Sequence, residues 1–264
     1  MFDPDQFDPD QFDPALFDPA LFDPDLLCRV YRTGDRDALW IRLNFVSSID
    51  GAATVGGLSG GLNDPWDLQV FETLRAMADV VVVAAGTVRE EEYDGVYVPG
   101  AHVAWRKQQG LPDHPRLAIV TASGDLDPAS APFDVDDRKQ RPLVFAAETA
   151  DPDSLRALQE VAEVVVCGEV SGGVDLQRMA AELAARGLHQ VLCEGGPTLF
   201  GSLLAADLVD ELCLTISPLL VGGRSRRITT SHAEHVHNMG LVNTLRGGAM
   251  LFLRYCRTLG PEPA

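Results

Sequence analysis

The stretch Gln190-Val191-Leu192-Cys193-Glu194-Gly195-Gly196-Pro197-Thr198-Leu199 reads as a buried strand, a glycine turn and a helix start in immediate succession. Gly195 and Gly196 lack Cβ, so the backbone can turn sharply and a ligand can approach closely. Pro197 suits the first helical position, where a missing N–H costs nothing. The amides from Thr198 onward then point outward unpaired, and with the positive end of the helix dipole they suit a phosphate or pyrophosphate. Glu194, the strand's last position, faces the same crevice, which is where ligands sit in an open parallel sheet. An ordinary Gly-Gly-Pro turn with a solvated glutamate competes with this reading. The choice rests on the rest of the chain.

On both sides of this stretch, helix and strand alternate. Upstream, 40–47 is a strand, followed by Ser48-Ile49-Asp50-Gly51 and a glycine-rich loop to Gly61 that is free to move. Asp64 is placed as N-cap, Pro65 in the first position and Asp67 in the first turn of a helix. The spacing of Leu68, Phe71 and Leu74 carries that helix to Met77. The apolar run 79–84 predicts a strand covered on both faces, hence a parallel sheet. Gly86-Thr87-Val88-Arg89 opens a second turn-to-helix step, and 90–113, charged and irregular, is expected to be loop. Strands follow at 117–120, which leads into Thr121 and Ser123, and at 143–146, 164–166 and 211–216. Helices are expected at 154–159, 175–186 and 197–206. The segments 242–245 and 250–255, separated by Arg246-Gly247-Gly248, read as a hairpin. The expected body is α/β: three layers, a mostly parallel central sheet with helices on both faces, right-handed crossovers and a C-terminal antiparallel hairpin.

Composition narrows the function classes. A formal charge of −18 argues against a nucleic-acid partner, although eight aspartates between Asp3 and Asp25 supply much of it. An acidic body does not exclude an anionic cofactor held at helix termini. Five cysteines, far apart and mostly inside apolar runs, read as free thiols in a reducing, cytoplasmic setting. The longest apolar run, 80–85, is too short to span a bilayer, so no membrane anchoring is expected. Residues 2–26 are five copies of a Phe-Asp-Pro pentapeptide. Proline in every copy prevents a continuous helix or ladder, so 1–27 is expected to be a disordered tail and 28–264 one domain.

The chain resembles the reductase domain of riboflavin biosynthesis, the RibD C-terminal family, which shares the dihydrofolate-reductase fold. The carriers are Asn44-Phe45-Val46-Ser47-Ser48-Ile49-Asp50-Gly51, Ala85-Gly86-Thr87-Val88-Arg89, Glu194-Gly195-Gly196-Pro197-Thr198-Leu199, and Val209-Asp210-Glu211-Leu212 leading to Pro218-Leu219-Leu220-Val221-Gly222-Gly223. The resemblance implies NADPH, with Gly195, Gly196, Pro197, Thr198 and Leu199 at the pyrophosphate, Ala53, Gly86 and Thr87 alongside, and Thr121 and Ser123 near the adenosine 2′-phosphate. It implies hydride transfer to the ribosylamino group of an aminopyrimidinedione phosphate. Asp67 and Glu194 are the catalytic candidates, and Asn44, Ser48, Asp50 and Arg89 the substrate-binding ones.

Asp67 is suited to pairing with ring N–H groups, as a carboxylate does for the pterin in dihydrofolate reductases; a first-turn helix charge is the alternative. The chain departs from bifunctional members in two places. Asn44 stands where they usually carry lysine, and Glu90-Glu91-Glu92-Tyr93 where they carry Ala-Asp-Asp-Pro. Arg89, Arg224, Arg226 or Arg227 could supply the missing cation. A pterin such as dihydrofolate is therefore a second candidate substrate, and a dinucleotide-binding protein without turnover a second functional class. With no Cys-x-x-Cys, the deaminase zinc site is missing, and 232–237 (HAEHVH) reads as a polar loop without metal. A homodimer is expected from the family and from the apolar strand 212–216, placed near a sheet edge.

Overall fold

The computed structural model describes residues 24–91, 93–135, 137, 140–168 and 173–258. The strands are β1 (Trp40–Ser48), β2 (Val80–Ala84), β3 (Arg116–Thr121), β4 (Leu143–Ala146), β5 (Glu163–Val166), β6 (Gln190–Gly195), β7 (Glu211–Ser217), β8 (Met239–Gly247) and β9 (Met250–Arg257). They form one sheet in the order β5-β4-β3-β2-β6-β1-β7-β9-β8. All neighbours run parallel except β7–β9 and β9–β8, the C-terminal antiparallel part. The helices are α1 (Pro24–Val30), α2 (Pro65–Met77), α3 (Ala85–Glu90), α4 (Gly100–Gln108), α5 (Pro152–Gln159), α6 (Leu176–Ala185) and α7 (Pro197–Ala205). The expected three-layer architecture is the observed one.

Strand β2 shows why the sheet is covered twice. Val80 and Val82 pack with Met179 and Leu183 of α6 and Leu203 of α7, while Val81 and Val83 pack with Val70 and Leu74 of α2 and Leu158 of α5. All four valines are fully buried, so a run without alternation satisfies two cores at once. Helix α2 starts as its sequence dictates: the Asp64 carboxylate accepts the Trp66 and Asp67 amides at 2.8 and 3.0 Å, and Pro65 occupies the first turn.

Three expectations need correction. The segment 90–113 contains helix α4, whose inward face is His102 and the fully buried Arg106 rather than an apolar repeat, so periodicity gave no signal. Arg106 is buried because it closes another helix: its guanidinium donates to Ala76 and Ala78 carbonyls at the end of α2, at 2.8 and 2.6 Å, and to Pro112 O at 2.7 Å. The strand β7 is interior, between β1 and β9; the sheet edges are β5 and β8. The expected tail boundary also shifts, because Pro24 opens α1 and Leu27 is buried in the core. The repeats before Pro24 lie outside the described residues. Among those described, no helix is long and apolar enough to cross a membrane.

The central strands are pinned by one buried anion. Glu211 on β7, fully buried, accepts Arg42 Nε and Nη2 from β1 at 2.8 and 3.1 Å, and Arg254 Nε and Nη2 from β9 at 2.8 and 3.2 Å. Trp40 Nε1 donates to it at 2.8 Å. The same two arginines close the end of α1, Arg254 donating to Val30 O, its last carbonyl, and Arg42 to Tyr31 O just beyond it. Burial alone would raise the Glu211 carboxyl, but the two guanidinium groups overcome it and hold it below the ordinary glutamate range. A carboxyl depressed in the fold stabilises at pH above its unfolded range, and that contribution is lost as pH falls through the folded value. Glu211→Gln leaves two cations in low dielectric, so it is expected to cost about 3–5 kcal/mol in urea denaturation at pH 7. The gap from wild type is expected to narrow as pH is lowered towards 3. An equal gap at both pH values would contradict this account.

Candidate active site

The carboxyl ends of β1, β6 and β2 lie side by side, because β6 inserts between strands that are earlier neighbours in sequence. Above them opens a cleft of about 700 Å³. Glu194 enters its floor through a bulge: Val82 pairs with Cys193 and Val83 with Gly195, so Glu194 is unmatched on β2. Such an extra residue re-aims its side chain. The carboxylate takes both Arg75 Nε and Nη2 at 2.7 Å, and the Tyr93 hydroxyl at 3.0 Å. Both side chains of the pair are buried. Burial would lower Arg75's pKa, but Glu194 outweighs it and raises it; burial and then Glu194 raise Tyr93.

Helix α2 lays Asp67, Phe71 and Arg75 along one side at four-residue spacing, while Val70, Leu74 and Met77 turn to the core. Asp67 and Phe71 line the cleft. The Arg75 guanidinium lies 4.2 Å from the Phe71 ring centroid, a cation–π contact that fixes the ring. Asp67 is nearly fully buried. Desolvation raises its carboxyl, opposed by a hydrogen bond from Thr215 on the interior strand β7. The cleft thus holds two different carboxyl groups: Glu194 is locked to a cation, and Asp67 has no cationic partner among the described residues.

The glycine turn has the shape its residues dictate. Gly195 has φ +141°, a value side chains rarely adopt, and a Cβ on Gly196 would meet Thr87 Oγ1 at 3.0 Å. Pro197 opens α7, and the N-cap, Gly196, offers no side-chain acceptor. Phe200 N is the first amide of α7 to find a helical partner, on Gly196 O.

The sequence-derived site residues divide. Asn44, Ala53, Asp67, Thr87, Glu194, Gly195, Gly196 and Pro197 line the cleft. Thr198 is exposed at the start of α7, Gly86 is half-buried on α3, and the Leu199 side chain packs in the core, leaving only its amide for the helix end. Thr121, Ser123 and Arg89 gather instead at the turn after β3. The Thr121 and Ser123 hydroxyls accept the Gly124 and Asp125 amides, and Arg89 donates to Asp125 O at 2.6 Å. Ser48 and Asp50 lie beside the cleft and bond to each other and to neighbouring backbone. The cleft also takes in Phe71, Glu90, Glu91, Asn63, Arg224 and Arg226. Phe71 was legible in sequence as the position one turn beyond Asp67, and Arg75 one turn beyond that. Tyr93 and Asn63 carry no such signal, since they reach the site through loops.

Residues 39–252 match the RibD C-terminal domain family. A 2,5-diamino-6-ribosylamino-4(3H)-pyrimidinone 5′-phosphate reductase of Archaeoglobus fulgidus is 32% identical over 158 residues, covering 60% of this chain and 70% of that protein. Its namesake in Methanothermobacter thermautotrophicus is 28% identical over 189 residues, covering 71% of this chain and 82% of the relative. A pyrimidine reductase-like protein of Corynebacterium diphtheriae superposes with a TM-score of 0.79 at 27% identity, covering 88% of this chain and 98% of that structure. The chain carries the family's fold over nearly the whole of its described length, and it belongs to the RibD C-terminal domain family.

Proposed function

We propose that this protein is an NADPH-dependent reductase acting on a ribosylaminopyrimidine 5′-phosphate of riboflavin biosynthesis. The observation that carries the proposal is one cleft holding both an uncapped, glycine-led helix start and a buried carboxyl with no cationic partner among the described residues. The first fits a dinucleotide: the Gly195–Gly196 turn keeps Cβ atoms away from the approach, and the Thr198 and Leu199 amides have no partner among the described residues, which suits a diphosphate. Thr87 and Ala53 flank the same opening. Bound NADPH supplies the hydride that converts the ribosylamino group to a ribitylamino group.

The chain's own residues select and hold the acceptor. Ionised Asp67 is able to accept two adjacent N–H donors, the pair that a 2-amino-4(3H)-pyrimidinone presents at its amino group and ring nitrogen. Phe71, steadied by Arg75, offers a face for a flat ring. Arg224 and Arg226 line the cleft and take over the phosphate charge where Asn44 has none to offer. Glu194, fully engaged by Arg75 and Tyr93, acts by position rather than by proton transfer. A pterin presents the same donor pair, which keeps dihydrofolate as the second candidate. Free thiols support a reducing, cytoplasmic setting. The exposed Leu241 and Val242 on edge strand β8 support a homodimer through that edge rather than through β7.

Mixing the protein with NADPH and, separately, the diaminopyrimidinone phosphate, its deaminated aminouracil counterpart and dihydrofolate is expected to show loss of reduced-nicotinamide absorbance, fastest with the diamino compound. NADPH binding without oxidation of any substrate would instead favour a binding protein. Asp67→Asn removes a charged double hydrogen bond and is expected to raise KM about 10–100-fold. Because burial raises the Asp67 pKa and the anion is the pairing form, wild-type KM is expected to fall as pH rises through that pKa. The Asn variant should lack this dependence. Glu194→Gln strands Arg75, so about 3–5 kcal/mol of stability is expected to go, with substrate KM rising more than the NADPH Kd. Equal losses in both constants would show that Glu194 has no special tie to the substrate side.

A further inference from the structure

Asp50 is an exposed carboxylate in an Asp-Gly turn, and its hydrogen bonds run out of its own loop. Oδ2 accepts Gly222 N at 2.7 Å and Oδ1 accepts Val221 N at 3.2 Å, while the Ser48 hydroxyl donates to Oδ1. Ser48 in turn accepts Ala52 N at 2.8 Å. These contacts push the Asp50 carboxyl down to about 2, the Ser48 hydroxyl first and the two amides after it. Gly222 and Gly223 both have positive φ, +65° and +71°, with nothing within 4 Å of a Cβ built on either. Their glycine requirement is therefore conformational, and the turn they make presents the adjacent Val221 and Gly222 amides to one anion. Here Asp50 is that anion.

The same segment continues into Arg224, Ser225 and Arg226, which line the cleft. It is stitched down again by Ala53 N on Arg226 O at 2.9 Å and by Ser225 Oγ on Thr54 O at 3.0 Å. The two loops beyond the paired ends of β1 and β7 thus form one wall, with the Asp50 carboxylate bonded into its backbone and Arg224 and Arg226 among the residues on its cleft side.

We propose that Asp50 is a positioning residue: as a built-in anion it sets the Val221–Gly223 backbone so that Arg224 and Arg226 are presented to the phosphate of the substrate. This rests on the reductase reading and assigns the phosphate end of that site. Asp50 touches no substrate; it acts through the arginines.

The test is a mutant cycle on the whole chain, with NADPH and the diaminopyrimidinone phosphate as the substrate pair. Asp50→Asn is expected to raise KM about 10-fold, with kcat changed less than about 2-fold and the NADPH Kd unmoved. In an Arg224→Ala/Arg226→Ala background the same substitution is expected to change KM less than about 2-fold, because the cations it positions are gone. Gly222→Ala, which forces a side chain into φ +65° while leaving residue 50 itself an aspartate, is expected to reproduce the KM increase and decides the matter if Asp50→Asn does not fold. Equal KM increases in both backgrounds, a fall in kcat at constant KM, or an unchanged KM in Gly222→Ala would overturn the proposal. An inactive wild type would instead overturn the reductase reading itself.

Discussion

The bidentate pair between Arg75 and Glu194 is the constraint on which the cleft depends. It joins the last turn of α2 to the bulge of the central strand, two elements far apart in sequence. The last turn of α2 is tied to β6 by Arg75 and to α4 by the Arg106 carbonyl clasp, which sets the helix's orientation over the sheet. Its cleft-facing row therefore stays in place, and Asp67 and Phe71 keep their positions over the floor. A buried pair of this kind stabilises little by itself, because desolvation offsets much of the attraction, but it is strongly selective for one geometry.

A second buried charge cluster does related work on the same face of the sheet, beneath α1. Glu211 gathers Arg42 and Arg254, and these cations also close the end of α1. The strands β1 and β7 that it binds together are the ones whose carboxyl ends carry the Asp50 and Arg224–Arg226 loops. Both walls of the cleft are thus referred back to charges withdrawn from water: one pair under α2, one triad on β1, β7 and β9 beneath α1. A site that binds a charged dinucleotide and a charged sugar phosphate gains from such fixed surroundings, since ordering them on binding would otherwise weaken affinity.

The family membership and the fold were readable because their determinants are local. Asp64-Pro65 sets a helix start, four valines in a row set a doubly covered strand, and Glu194-Gly195-Gly196-Pro197 sets a turn that only glycine fits. Helix α4 was not readable, because its buried face is polar and exists to satisfy carbonyl groups of another helix. Nor was the interior place of β7, since an apolar alternating strand looks the same beside one neighbour or two.

The sequence by itself determined the α/β class, the strand-turn-helix element that opens α7 and the capped start of α2, because each follows from backbone freedom, capping and apolar period over a few residues. Only the tertiary structure decided what each polar group does. It joined Glu194 to Arg75 and Tyr93, turned Asp50 outward to hold the Gly222 backbone, drew Arg89 to the turn after β3, and left Asp67 buried with no cationic partner among the described residues. The physical reason is that a charge's role depends on its partners and its distance from water, and both are fixed by packing between segments that lie tens to hundreds of residues apart.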